Sequence, residues 1–374
     1  MSAHAGRRTR EQDERQGVAA QLSVVDRYLP VWILAAMGLG ILLGRLVTGL
    51  DEALEAVKIA DVSLPIALGL LIMMYPVLAK VRYDETGAVT RDRRLMGLSL
   101  VLNWVIGPAL MFALAWAFLP DLPEYRTGLI IVGLARCIAM VLIWNDLACG
   151  DREAAAVLVA INSLFQVVAF SVLAWFYLQI LPGWLGLSTT SVEFSVGAIA
   201  VSVVIFLGVP LLAGYLTRRI GEGRRGRTWY EGVFLPRIGP FALYGLLFTI
   251  VVLFALQGEA ITQRPWDVAR IALPLIAYFA LMFTGALVMA RAAGLNYQRS
   301  TTVAFTAAGN NFELAIAVAI ATFGVTSGQA LAGVVGPLIE VPILIALVYV
   351  SLWLRPRLFP DIPADPDTYS KGSG

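Results

Sequence analysis

Gly133-Leu-Ala-Arg-Cys-Ile-Ala-Met-Val-Leu-Ile-Trp-Asn-Asp146 lies in a run that is otherwise apolar enough to cross a bilayer. The stretch nevertheless contains two charged residues, Arg136 and Asp146, together with Cys137 and Asn145. A charge at membrane depth is costly unless it faces a partner or a water-filled cavity. The stretch therefore predicts a membrane-spanning fold with an internal polar site that includes a thiol.

The composition indicates that almost the whole chain lies in a lipid bilayer. Of its 374 residues 59% are hydrophobic and 14% charged, whereas soluble domains have about 25% charged residues. The net charge is only +2, so we expect no nucleic-acid partner. His4 precedes the first hydrophobic run, which argues against histidine triads and histidine metal sites, and two cysteines give no disulfide framework. We expect no cofactor.

Ten hydrophobic runs are long enough to be membrane-spanning helices, which need about 20 apolar residues. They are Leu29–Leu50, Val62–Val81, Leu95–Leu119, Thr127–Ala148, Ala154–Leu181, Phe194–Leu216, Gly232–Leu256, Val268–Ala290, Thr301–Phe323 and Ala330–Leu354. The predicted fold is an all-α polytopic membrane protein. It comprises an N-terminal arm at residues 1–25, one transmembrane domain at residues 26–354 and a C-terminal tail at residues 355–374.

Basic residues predict that both termini are cytoplasmic, because cytoplasmic connections are rich in Lys and Arg. The N-terminal arm and the connections after the second and sixth runs are rich in them: Arg7, Arg8, Arg10, Arg15, Lys80, Arg82, Arg91, Arg93, Arg94, Arg218, Arg219, Arg224, Arg225 and Arg227. The connections on the other side contain few, namely Lys58, Arg126 and Arg264.

Ten spans divide into two halves, at about residues 29–181 and 194–354, that cross the membrane in opposite senses. Inverted repeats whose interrupted helices meet near the midplane are common in secondary transporters. The least uniformly apolar runs are the fourth, at Ala135–Asp146, and the ninth, at Ala307–Leu314, and each is the fourth element of its half. We therefore predict that these two helices are broken.

Cys137 is the predicted ligand of a transported species. Thiolate sulfur is a soft ligand that selects soft metals and metalloids, and one thiol makes a site that a carrier can empty again. A neighbouring cation such as Arg136 favours the thiolate. Alternatively, Cys137 is a small buried hydrophobic residue, and Arg136 extends to the membrane surface. If Arg136 is buried, we expect a carboxylate of another run, or water, as its partner.

The ninth run contains the helix-breaking cluster Gly309-Asn310-Asn311, and unwound backbone at that depth needs polar partners. Asn310 and Glu313 are three residues apart, so we expect them on one helical face. A lipid-facing position would not accept the charge of Glu313. The alternative is that Glu313 is a buried acid with a purely structural role.

Glu340 lies between Pro337 and Pro342 in an otherwise apolar run, and each proline removes a backbone hydrogen bond. We interpret Glu340 as the better candidate for carrying a proton; the alternative is an acid that is hydrogen-bonded at a kink.

Asn103, near Gly107-Pro108, is a lesser candidate for lining the cavity, and its alternative is an interhelical hydrogen bond. Asn145 and Asp146 are secondary candidates. For Asp146 the alternative is a turn at the membrane interface.

Four segments carry a resemblance: Met73–Tyr83, Gly133–Val141 with Trp144-Asn145, Phe305–Ala315 and Gly336–Pro342. They resemble the arsenite efflux permeases of the bile acid/arsenite/riboflavin transporter superfamily, over about Leu29 to Leu354. The resemblance implies ten helices in two inverted five-helix repeats. It also implies a panel domain and a core domain in which the broken fourth and ninth helices cross.

The resemblance also implies residue roles. The essential cysteine of that family falls on Cys137, its tenth-helix glutamate on Glu340, and its Asn-Asn-Phe-Glu on Asn310 to Glu313. These permeases exchange arsenite for protons. The resemblance thus implies efflux of As(OH)₃ across a bacterial inner membrane, without a partner ATPase. Cys149 departs from the family pattern, which has a basic residue there.

In two alternative functions Cys137 does not bind arsenite. In a sodium-coupled carrier of organic anions on the same fold, the broken helices would coordinate sodium and Cys137 would be incidental. In an intramembrane enzyme Cys137 would be a nucleophile, but the membrane runs contain no histidine to serve as its base.

Overall fold

The computed structural model describes residues 28–47, 49–56, 58–59, 62–81, 92–138, 140–187, 196–263 and 265–359. The predicted N-terminal arm, with His4 and its arginines, lies outside the described residues. So do Arg82, Arg91, Arg264 and residues 360–374 of the predicted tail.

Thirteen helices and one short pair of strands make up the described residues. The strands β1, Lys58–Ile59, and β2, Val62–Ser63, are antiparallel. The helices are α1 Leu29–Leu46, α2 Leu50–Glu55, α3 Leu64–Lys80, α4 Arg93–Phe118, α5 Pro123–Leu134, α6 Met140–Leu147, α7 Arg152–Trp184, α8 Val196–Arg225, α9 (Arg227–Trp229, Tyr230–Phe234 and Leu235–Gln263 in succession), α10 Pro265–Ala292, α11 Tyr297–Ala308, α12 Phe312–Phe323 and α13 Gly328–Leu358.

Six of these helices are long and apolar enough to cross a membrane, namely α4, α7, α8, α9, α10 and α13. Shorter apolar helices are Val31–Leu46, Leu64–Lys80 and Phe312–Phe323. The outer surface carries large exposed apolar side chains, such as Val168 at 76% and Leu212 at 58% exposure, which lipid can cover and water would not favour. The prediction of an all-α polytopic membrane protein is confirmed.

Prolines set the irregular turns of the long helices. Four π turns occur, at Leu102–Ile106, Phe176–Ile180, Val204–Gly208 and Tyr230–Phe234. A proline stands two residues after each of them: Pro108, Pro182, Pro210 and Pro236. Because proline lacks an N–H and its ring clashes with the carbonyl four residues earlier, the hydrogen-bond ladder widens at that point.

The helices pack in two groups. In the first group α9 lies along α1 and α3, and α3 packs on α8. Close approach within this group depends on glycine, since a Cβ at Gly40 would come within 2.5 Å of the carbonyl oxygen of Val251. The second group contains α4 to α7 and α10 to α13, with α13 packed against α5, α10 and α12. A cavity lies between the two groups.

Two of the predicted runs are interrupted. In the fourth run, extended residues follow α5 from Ala135 onward, and α6 begins at Met140. In the ninth run residues 309–311 separate α11 from α12.

Several bounds of the helices in the second group recur after a constant number of residues. Shifting α5, Pro123–Leu134, by 174 residues gives Tyr297–Ala308, the bounds of α11. The same shift of 174 takes the end of α4 at Phe118 to the end of α10 at Ala292, and the end of α7 at Trp184 to the end of α13 at Leu358.

Candidate functional site

The two interruptions are joined by backbone hydrogen bonds. The N–H of Cys137 donates to the carbonyl of Gly309 at 3.3 Å, and the N–H of Asn311 donates to the carbonyl of Ala135 at 3.0 Å. Together they form a short antiparallel bridge in which Arg136 faces Asn310. Extended backbone is tolerated at membrane depth only where protein or water satisfies its polar groups, and these two bonds satisfy part of them. The bridge therefore fixes both interruptions at one place.

The side chain of Cys137 lies inside the protein against the second interruption. It is 3% exposed, and no disulfide joins it to Cys149. A Cβ at Gly309 would lie 2.9 Å from the Cβ of Cys137 and 3.5 Å from its Sγ. Gly309 is therefore the residue that leaves room for the thiol.

Arg136 is fully buried, so the alternative in which it extends to the membrane surface is wrong. Its guanidinium donates to the Tyr278 hydroxyl at 2.9 Å, to the Ala307 carbonyl at 3.4 Å and to the Gly133 carbonyl. The carboxylate that we expected as its partner is absent: none of the described carboxylates lies within ion-pair distance of it.

The helix ends explain how Arg136 is held without a carboxylate. Gly133 is in the last turn of α5 and Ala307 is in the last turn of α11. The carbonyls of a last turn lack helical partners, and the end of the helix carries a partial negative charge. Two helix C-termini thus supply the acceptors and the field that a buried cation needs. Counting charged side chains in the sequence does not reveal them.

Asn310 lies in the extended interruption, and α12 begins at Phe312. The prediction that Asn310 and Glu313 share a helical face is therefore wrong. The Asn310 amide instead donates to the Val132 carbonyl at 2.8 Å and to the Ala135 carbonyl at 3.2 Å, again at the end of α5.

Asn311 caps α12, because its side-chain oxygen accepts from the N–H of Leu314 at 3.1 Å. Three buried polar atoms of the bridge residues have no hydrogen-bond partner among the described residues: Arg136 Nε, Asn310 Oδ1 and Asn311 Nδ2. Such groups are uncommon in folded proteins, and a water molecule or a ligand can satisfy them. Arg136 Nε and Asn311 Nδ2 are donors, and Asn310 Oδ1 is an acceptor.

The middle residue of each interruption is bound by one side chain from the long helix that follows it in the sequence. Glu340 of α13 accepts from the N–H of Asn310 at 3.2 Å. Gln166 of α7 accepts from the N–H of Arg136 at 2.8 Å and donates to its carbonyl at 3.0 Å. Sequence reasoning missed Gln166. The available signal was an amide in the middle of the apolar fifth run, 30 residues after Arg136 as Glu340 is 30 residues after Asn310.

Glu313 lines the cavity between the two groups of helices. The cavity is mostly apolar, with Met37, Leu70, Phe254 and Leu338 in its wall. Glu313 is close enough to Glu340 for their charges to interact. The described wall does not include Cys137, so this cavity reaches Glu313 and stops short of the thiol.

Asn103 is buried in the π turn of α4, where its amide donates to the carbonyl and hydroxyl of Ser99 at 2.8 and 3.2 Å. One turn later a Cβ at Gly107 would lie 2.7 Å from Nη1 of Arg136. The helix of Asn103 thus contacts the Arg136 guanidinium, while Asn103 itself bonds within its own helix.

The remaining sequence candidates lie at the end of α6. Asn145 is buried and accepts from the Thr302 hydroxyl at 2.7 Å, which ties α6 to α11. Asp146 pairs with the exposed Arg152 at 2.7 Å. The structure does not give either residue a bond to the bridge.

Comparison with known proteins gives matches along most of the chain. Residues 67–264 match the Sodium Bile acid symporter family. The chain is 62% identical over 349 residues to "Arsenical-resistance protein Acr3" of Corynebacterium glutamicum, which covers 93% of this chain and 94% of that protein. It is 33% identical over 347 residues to the protein of the same name from Alkaliphilus metalliredigens, covering 90% and 94% of the two chains. An uncharacterized transporter of Synechocystis is 35% identical over 346 residues, covering 87% and 88%.

Proposed function

The chain belongs to the sodium bile acid symporter family, with the Acr3-type arsenical-resistance transporters, and from this premise we propose that it exports arsenite in exchange for protons. It is a transporter and not an enzyme. Arsenite is neutral As(OH)₃ near pH 7, so the membrane potential alone does not expel it. Entry of protons supplies the driving force.

The position of Cys137 carries this proposal. Its thiol lies in the bridge between two interrupted helices. The same bridge contains two unsatisfied donors, on Arg136 and Asn311, and one unsatisfied acceptor, on Asn310. As(OH)₃ has hydroxyl groups that both donate and accept. When the thiol binds arsenic, an S–As bond forms and one As–O bond breaks, and the thiol proton leaves with that hydroxide as water. No electron transfer is involved, so the step reverses when arsenite is released.

We assign proton coupling to Glu340, with Glu313 as its second member. Glu340 binds the backbone of the second interruption at Asn310, so a change in its protonation acts directly on the bridge. Glu313 lines the cavity and lies near Glu340, which makes a route for the proton from the cavity to the bridge.

Two inverted five-helix repeats account for the geometry of the bridge. Under the shift of 174 residues, the bond from Cys137 to Gly309 becomes the bond from Asn311 to Ala135. Two equivalent segments that meet antiparallel are related by a twofold axis, as inverted repeats require.

The first group of helices, α1, α3, α8 and α9, corresponds to the panel and the second group to the core. Rocking of one against the other exposes the bridge alternately to each side. The arginine-rich connections support cytoplasmic termini.

The sodium-coupled alternative is disfavoured by Arg136. In that alternative the broken helices would coordinate sodium where they cross, but a buried guanidinium occupies this place and repels a second cation.

Arsenite uptake into everted membrane vesicles tests the proposal. We expect uptake driven by a pH gradient, with no dependence on sodium, and its loss in Cys137→Ser but not in Cys149→Ser. Sodium-dependent uptake, or a Cys137→Ser variant as active as the unsubstituted protein, would refute it. So would failure of the unsubstituted protein to restore arsenite resistance to a sensitive strain.

A further inference from the structure

We propose that Gln166 is a positioning residue that clamps the Cys137 segment whatever the protonation state of the protein, and that Glu340 makes the equivalent clamp on the second interruption only when it carries a proton. The inference deepens the proposed function, since it takes Cys137 as the arsenite ligand and Glu340 as the proton carrier.

The clamp of Gln166 uses both ends of its amide. Its oxygen accepts from the N–H of Arg136 at 2.8 Å, and its nitrogen donates to the carbonyl of the same residue at 3.0 Å. Gln166 is fully buried, and these are the hydrogen bonds that its side chain makes with the described residues. Since Arg136 precedes Cys137 directly, the clamp fixes the backbone that carries the thiol.

Glu340 occupies the equivalent position in the second half. The shift of 174 residues takes Arg136 to Asn310 and Gln166 to Glu340, and each pair is 30 residues apart. The acceptor bond is present in both halves, at 2.8 and 3.2 Å. The donor bond is present in the first half, while the carbonyl of Asn310 receives no hydrogen bond from the described residues.

Protonation would complete the second clamp. An ionised carboxyl only accepts hydrogen bonds, whereas a protonated carboxyl also has one O–H to donate, as an amide has N–H groups. A protonated Glu340 can therefore reproduce the pattern of Gln166, with its O–H donated to the Asn310 carbonyl. Loss of that proton leaves the acceptor bond alone.

Of the two equivalent residues, only the carboxyl of Glu340 can gain or lose a proton. Protonation therefore acts on the Asn310 segment and not on the segment that carries Cys137. Glu313 of α12 is the titratable group among the described residues that interacts with Glu340, and two negative charges so close together would oppose each other. No proton can be lost from Gln166, so the thiol keeps its position while the opposite segment changes.

Reactivity of Cys137 tests the clamp without relying on transport. In the full-length protein with Cys149→Ser, Cys137 is the one remaining cysteine, since the chain has two. The rate at which N-ethylmaleimide modifies it in purified protein reports how tightly the segment is held. We compare Gln166→Met, Gln166→Glu and Asn162→Leu. Asn162 is a buried amide one turn away on α7 that bonds Trp104 instead of the bridge.

We expect Gln166→Met to raise the modification rate about tenfold, because the hydrogen bonds of the clamp are lost, and Asn162→Leu to leave the rate within about twofold. In Gln166→Glu the donor is present only in the protonated form. The ratio of its rate to that of the unsubstituted protein should therefore rise with pH and fall towards one at low pH. If Gln166 served only to pack the helices, the ratio for Gln166→Glu would not depend on pH.

The proposal is overturned if Gln166→Met and Asn162→Leu behave alike, or if the ratio for Gln166→Glu is flat between pH 5 and pH 9. If Gln166→Met is not recovered folded, the Gln166→Glu profile decides alone, since that variant keeps the acceptor. If the proposed function is wrong, the unsubstituted protein does not transport arsenite, and arsenite does not protect its Cys137 from N-ethylmaleimide. The modification rates of the clamp variants would still differ in the absence of arsenite, so the two failures can be told apart.

Discussion

Replacing Gly309 by alanine tests whether the fit of the thiol against the second interruption matters for transport. The added Cβ would lie 2.9 Å from the Cβ of Cys137, whereas carbon atoms in contact prefer about 3.5–4.0 Å. The backbone of Gly309, at φ −70° and ψ 144°, is an ordinary extended conformation that alanine adopts freely. The effect is therefore steric and not conformational.

The two interruptions must then separate by at least about 0.6 Å. That movement stretches the 3.3 Å hydrogen bond from Cys137 to Gly309 beyond hydrogen-bond distance. Overpacking of this kind costs about 1–3 kcal/mol. If this whole cost opposes arsenite binding or transport, the transport rate falls roughly five- to 150-fold. Backbone strain would add nothing, so Gly309→Ser should behave similarly or worse.

Initial rates of arsenite uptake into everted vesicles, normalised to the amount of protein in the membrane, measure this effect. Gly285→Ala in α10 is the matched control, because a Cβ there has no neighbour within 4 Å, and it should leave the rate unchanged. If Gly309→Ala transports arsenite at the unsubstituted rate while the control is normal, the contact between Gly309 and Cys137 does not limit transport.

Three further substitutions probe the surroundings of the bridge. Arg136→Lys should lower arsenite resistance and protein recovery together, because one ammonium group cannot replace a planar fork that bonds three oxygens; normal resistance and melting temperature would contradict this. Asn145→Ala should lower the melting temperature by a few degrees, since it removes the bond to Thr302 at a cost of about 1–3 kcal/mol, with KM for arsenite unchanged; a raised KM would place Asn145 in the site. Asp146→Asn should change the melting temperature and resistance little, because the pair with Arg152 is largely exposed and such pairs contribute about 0–1 kcal/mol; a loss of resistance would show that Asp146 acts in transport.

Hydrophobicity and helix-breaking residues allow much of this architecture to be predicted from the sequence. Apart from the short helix α2, Leu50–Glu55, the described helices overlap the predicted apolar runs, and the interruptions fall at Ala135 and at Gly309, where an arginine or a Gly-Asn-Asn cluster disturbs the run. These signals are local, since each depends on a few neighbouring residues in the chain.

The errors concern interactions that no local pattern encodes. For Arg136 the sequence suggested a carboxylate or water as the partner, because helix C-termini cannot be recognised as partners until it is known which helices end beside it. Gln166 was missed since one amide in an apolar helix resembles interhelical packing. Its pairing with Arg136 becomes apparent only when the spacing of 30 residues recurs between Asn310 and Glu340. Asn310 and Glu313 were placed on one face because the start of α12 at Phe312 was not foreseen.

The backbone bridge also has a consequence for biosynthesis. The ribosome must add on the order of 170 residues after Arg136 before Gly309 and Asn311 exist, which takes roughly 10–30 s at ordinary translation rates. During that interval Ala135 and Cys137 lack the partners that they have in the finished protein. We expect the nascent first half to stay associated with the insertion machinery until the second half arrives, and a chain that terminates before Gly309 to be degraded.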